Sequence, residues 1–119
     1  MLVSAVLFGG LPGELLTRAL RGEIELVTSA ALMDELEGVL ANSFSLDGAF
    51  VRSVRAELEL IAEVVSPPEV SRVTRDPDYD VVLAAAVVGG VSMIVTGDGD
   101  LLVLEEHRGI RIVTPRDFA

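Results

Sequence analysis

Apolar positions along this chain fall into short runs of two kinds. One kind is nearly continuous and four to eight residues long; the other repeats with a helical period. The first run, Met1–Phe8, is continuous, and period alone leaves it open between strand and helix. Gly9-Gly10-Leu11-Pro12-Gly13 reads as a turn. Pro12 can open a helix to about Arg21 that carries Leu15, Leu16, Ala19 and Leu20 on one face. Ile24–Val27, flanked by Glu23 and interrupted by Glu25, alternates as a short strand. Ser29 can cap a helix through about Leu40. A polar break at Asn42–Gly48 precedes a further helix at about Phe50–Ala62, and Val64-Val65 forms a strand stub before Pro67-Pro68.

The second half is more sharply punctuated. Asp76-Pro77 before Val81–Val88 is a helix start, because proline's fixed φ suits the first helical position. After Gly89-Gly90, the stretch Met93-Ile94-Val95-Thr96 reads as a buried parallel strand. Gly109 is expected to end a short helix before the strand Ile110–Val113, and Thr114-Pro115 to start a last helical turn. Alternating strands and helices predict one α/β domain over residues 1–119, with three layers and a parallel sheet.

Composition narrows the function classes. The chain has 119 residues, 50% of them hydrophobic, without an apolar run near the ~18 residues of a membrane span. No signal segment is legible, so a cytoplasmic location is expected. The absence of cysteine excludes a disulfide scaffold and a thiolate metal site. All 9 basic residues are arginine, and the net charge is −10. That balance argues against tight, sequence-independent nucleic-acid binding, which depends on neutralising phosphates. It leaves room for carboxylates that hold divalent cations or dock a basic partner.

Several acids carry the candidate chemistry. Asp98 leaves the carboxyl end of a strand, where open α/β sheets place their ligand crevices, and Asp100 follows it in Gly97-Asp98-Gly99-Asp100. The simplest role for these two is a solvated turn, with Asp100 available as a helix cap. Asp76 is most simply an N-cap and Asp78 a first-turn acid. Asp80 sits one turn inside the helix, where capping explains it less well. On the preceding wheel, Asp34 lies opposite the stripe of Leu32, Leu36, Val39 and Leu40, and Glu37 lies to one side. Glu35 is closest of the three to that stripe, either reaching out to solvent, which spacing favours, or pointing into a pocket. The lone His107 sits in a polar stretch and is assigned no role.

With Arg75-Asp76-Pro77-Asp78-Tyr79-Asp80, the run Val81–Ala86, and Val95-Thr96-Gly97-Asp98-Gly99-Asp100-Leu101, the chain resembles PIN-domain proteins. The nearest subgroup is the VapC-like toxin components of bacterial toxin–antitoxin pairs. The likeness extends back through Val27-Thr28-Ser29, Glu35-Leu36 and Val39-Leu40, and forward through Gly109–Val113 to Thr114-Pro115-Arg116-Asp117-Phe118. It implies a metal-dependent ribonuclease with Glu35, Asp80 and Asp98 as catalytic acids. Asp100 would join them as metal ligands for Mg²⁺ or Mn²⁺, with Thr96 as a polar neighbour. It also implies an RNA substrate and an antitoxin partner, with a second copy of the chain as a further candidate partner.

One departure is large. Family members begin with a strand ending in Asp-Thr-Asn, and Met1-Leu2-Val3-Ser4-Ala5 matches the segment after it. The resemblance therefore implies an N-terminally truncated PIN-like domain lacking its central strand and a main metal ligand. Met1–Phe8 would then begin a helix. The empty slot would leave two unpaired strand edges that favour association, metal binding would be weak, and activity would be in doubt. The alternative is a non-catalytic PIN-like interaction protein whose acidic groove binds an antitoxin or another PIN copy. A third class, a receiver-type phosphoacceptor domain, is disfavoured by the complete absence of lysine.

Overall fold

The computed structural model describes residues 3–8, 13–43 and 46–118. Strands β1 (Val3–Phe8), β2 (Ile24–Ser29), β3 (Ala62–Val65), β4 (Met93–Thr96), β5 (Glu106–His107) and β6 (Ile110–Val113) form one sheet. Their order is β3-β2-β1-β4-β6-β5, and every pairing is parallel except the β5–β6 hairpin. Between them run α1 (Gly13–Leu20), α2 (Ala30–Ser43), α3 (Gly48–Ile61), α4 (Pro77–Gly89), α5 (Gly99–Leu102) and, last, α6 (Pro115–Phe118). Of the turn predicted over Gly9–Gly13, residues 9–12 lie outside the described residues, and Gly13 is the first residue of α1.

The central slot of the sheet is filled, which corrects the expectation of a missing strand. Val3–Phe8 is β1, paired with β2 through Val6 and Val27 and with β4 through Val6 and Ile94. It is not the start of a helix. A strand covered on both faces needs no polar alternation, so an unbroken apolar run suits this position. It also supplies hydrogen-bond partners to β2 and β4 that would otherwise be buried without them. The two edges that an empty slot would expose are therefore paired. Gly109 is a second correction: it has φ +82° in the β5–β6 turn and does not end a helix.

Alternation along β1 sorts the core into two layers. Val6 and Phe8 face α4 with Val27, Val82, Leu83, Ile94 and Ile112, whereas Ala5 faces the opposite side with Leu15, Ile24, Leu26 and Val95. Fully burying a side chain such as Leu83 or Ile94 contributes about 1.5–3 kcal/mol.

The placement of α4 determines the geometry at the carboxyl end of the sheet. Asp76 caps it by accepting the Asp78 N–H at 2.9 Å, with Pro77 following as predicted. At its far end Gly90 adopts a left-handed conformation, φ +62°. Gly89 lies so close to β2 that a Cβ there would fall 2.6 Å from Val27 Cγ1. This close approach seats the helix firmly on the sheet.

Candidate active site

The carboxyl ends of β1, β2 and β4 lie side by side, and each feeds a different side chain toward the start of α4. At the end of β2, Ser29 accepts the Leu32 N–H at 3.3 Å and opens α2, which carries Glu35. At the end of β4, the buried Thr96 accepts the Asp98 N–H through Oγ1 at 3.1 Å. Asp98 in turn caps α5 by accepting the Asp100 N–H at 3.0 Å. The solvated-turn reading of Asp98 thus gives way to a cap with an ordered backbone.

Glu35 is half-buried at the rim of an apolar pocket lined by Phe8, Val27, Thr28, Leu32 and Leu36. Its carboxyl is pushed above its ordinary value first by burial, then by the negative charges of Asp78, Asp76 and Asp98. Four acids from α2, the start of α4 and the end of β4 therefore share one electrostatic field. The other two acids of α2 are directed elsewhere, as the wheel implied. Arg55 Nη1 lies 2.7 Å from Asp34 and 3.4 Å from Glu37, while its Nε holds Glu59 at 2.7 Å.

Tyr79 ties the group together. Its hydroxyl donates to Asp98 Oδ2 at 2.7 Å and approaches Asp100 Oδ2 at 3.4 Å. Its ring meets Phe8 edge-on, with centroids 6.0 Å apart and planes at 88°. Phe8 stands at the carboxyl end of β1, in register with Thr96. The bond to Asp98, followed by desolvation, pushes the phenol well above its usual range.

Asp80 is not brought to this group. Its side chain is buried, and Oδ1 accepts the Thr74 N–H at 2.8 Å and the Val73 N–H at 3.0 Å. Chiefly the Thr74 bond, and with it the Val73 bond, holds the carboxyl below its ordinary value, against an opposing effect of burial. Asp80 fastens the 66–75 segment to α4, so the expected convergence with Glu35 and Asp98 is corrected for this residue.

The acid that α4 contributes to the Glu35 field is Asp78, with the cap Asp76 beside it. Helix phase did not single it out: Asp78 repeats with Val82 and Ala86, and Asp80 with Leu83, and all three apolar residues are fully buried, while Asp78 itself is exposed.

The donor chemistry of Glu35, Asp78, Asp98 and Asp100 suits a hard divalent cation, which prefers carboxylate oxygen. Among the described residues, no three such groups are close enough to hold an ion between them. Mg²⁺ retains several waters and takes only one or two carboxylates together with substrate phosphates, so its fit here rests on the donor chemistry of Asp98 and Asp100. The spacing does not fit a tightly caged structural ion. Among the described residues, no helix is long and apolar enough to cross a membrane.

The family profile described as PIN domain matches residues 1–100 of the chain. No curated protein matches it.

Proposed function

The chain belongs to the PIN-domain family, whose function is of nuclease type, and we propose that it cleaves RNA phosphodiester bonds at the acids gathered beside α4. The observation that supports this most is the Glu35 carboxyl, raised first by burial and then by the negative charges of Asp78, Asp76 and Asp98. Like charges held together without a counter-charge are unfavourable, so such a group attracts a cation. In this reading Asp98 and Asp100 would hold Mg²⁺ or Mn²⁺ together with waters and substrate phosphate, with Asp78 and Glu35 adding negative charge nearby. When bound, the ion would lower the pKa of a water and offset charge on the phosphodiester.

The chain's own residues do the rest. Thr96 fixes the turn that presents Asp98. Glu35, partly withdrawn from water and electrostatically coupled to Asp98, is placed to accept a proton from the attacking water. Apolar Phe8 and Leu36 limit water access on the Glu35 side. The likeness to VapC-type proteins supports the finer role of a toxin component acting on cytoplasmic RNA and held in check by an antitoxin.

One observation favours the non-catalytic alternative: β1 ends at Phe8, with no acid there. The two readings separate in one experiment. Cleavage of RNA is measured in Mn²⁺ alongside Mn²⁺ binding by calorimetry, for the natural chain and for Glu35→Gln, Asp98→Asn and Asp80→Asn. The nuclease reading expects Glu35→Gln and Asp98→Asn each to lose on the order of 100-fold in activity. Asp80→Asn should lose far less wherever it remains folded. No Mn²⁺ binding and no cleavage by the natural chain would leave the interaction protein as the better account.

A further inference from the structure

We propose that Tyr79 is a built-in competitor of the cation, its hydroxyl occupying the carboxylate oxygens of Asp98 and Asp100 until an ion displaces it. The inference rests on the proposed function of these acids and adds a device that controls how readily they load. The hydroxyl donates to Asp98 Oδ2 at 2.7 Å and lies 3.4 Å from Asp100 Oδ2. A cation taken up by Asp98 Oδ2 would compete with the hydroxyl for that oxygen. One O–H proton directed at an anionic pair partly offsets their repulsion, as a cation would do more fully.

Asp98 has little spare capacity. Its Oδ1 is taken by the Asp100 N–H and its Oδ2 by Tyr79. A carboxylate oxygen keeps a further lone pair, but a cation on Asp98 Oδ2 would share that oxygen with the phenol hydrogen bond. The ring is not free to leave without cost, because its edge-on contact with Phe8 is part of the core beneath α4. Tyr79 is thus held over the end of β1 by Phe8 and over the end of β4 by Asp98. It is a positioning residue that tunes loading and takes no part in bond cleavage.

The chain provides its own reporter. Tyr79 is the single tyrosine and there is no tryptophan, so emission excited in the tyrosine band comes from this ring alone. A phenol hydrogen-bonded to a carboxylate emits weakly, and its release brightens it. Titration of the full chain with MgCl₂ is therefore followed by tyrosine emission and, in parallel, by calorimetry. The proposal expects emission to rise with Mg²⁺ occupancy toward the level of Asp98→Asn, and expects Tyr79→Phe to bind Mg²⁺ about tenfold more tightly.

Mg²⁺ binding with unchanged emission, or equal affinity in Tyr79→Phe, overturns the competitor while leaving the metal site intact. Absence of Mg²⁺ binding in both proteins overturns the metal reading itself, and the competitor with it. The emission measurement on the natural chain requires no substitution, so a misfolded variant cannot mask the outcome.

Discussion

On one flank of the α4 N-terminus, Asp80 is buried and receives two backbone N–H groups; on the other, Glu35 faces Asp78, Asp76 and Asp98. Both are carboxylates on helices packed against the same sheet, yet their proton affinities move in opposite directions. Asp80 is held ionised by donors and stabilises the fold. Glu35 is held partly out of water among like charges and works against it. Donors and like charges thus act in opposite senses on two carboxylates carried by α2 and α4. The difference arises in what surrounds each group, since nothing in the two side chains themselves distinguishes a structural acid from a chemical one.

The comparison breaks most visibly at Asp80. Asp80→Ala leaves the Val73 and Thr74 N–H groups without their acceptor and releases the segment before α4. Thermal melts should show a fall in Tm on the order of 5–10 °C. Asp80→Asn keeps an oxygen that can accept both bonds, and should lose roughly half as much. If Asp80→Asn melts like the natural chain while RNA cleavage vanishes, Asp80 belongs with the chemical acids after all.

How far these roles were legible in the sequence differs from element to element. The bounds of α4 and β4 followed from strong local signals: Asp76-Pro77 at one end, Gly90 at the other, then a β-branched strand. β1 was harder, because a strand buried on both faces loses the alternation that identifies strands. Its likeness to a post-strand segment then pointed the wrong way. The choice between Asp78 and Asp80 turns on helix phase. The two lie about 200° apart on the wheel, so only one can face the sheet ends, and the direction of the sheet is a tertiary fact. Tyr79 carried no sequence signal as a site residue, because its role exists only once Phe8, Asp98 and Asp100 surround it.

Acidity gives a sharper version of the same contrast. Asp80 has a folded pKa below its ordinary 3.8, so the unfolded chain binds more protons near that pH. Its stabilisation is present above about pH 4 and is lost as pH falls through the folded value. Glu35 has a folded pKa above its ordinary 4.5, so the folded chain binds the extra proton. Its contribution is favourable at low pH and declines as pH rises from 4.5 through the folded value. Tm measured against pH should therefore climb out of the acid range and then sag toward neutrality. Glu35→Gln should remove part of the sag and raise Tm at pH 7 by about 2 °C, while Asp80→Asn should flatten only the acid limb. A variant pair that alters the opposite limbs would reverse the two assignments.

The smallest expected effect is the dependence on an inert salt. The Glu35 field acts between carboxylates on separate elements and is partly open to solvent, so mobile ions screen it. The screening length falls from about 10 Å at 0.1 M to about 3 Å at 1 M. The Asp80 bonds are direct contacts at 2.8 and 3.0 Å inside a buried site and lie within any such length. Raising NaCl from 0.1 to 1 M should lift the Tm of the natural chain by about 1–3 °C through relief of repulsion across a chain of net charge −10. Glu35→Gln should gain less, because one member of the repelling group is gone. Asp80→Asn should gain as much as the natural chain, since its lost contact was never screened. The informative quantity is the difference between the two variants: equal salt gains would mean that Glu35 is not coupled to Asp78, Asp76 and Asp98 in solution.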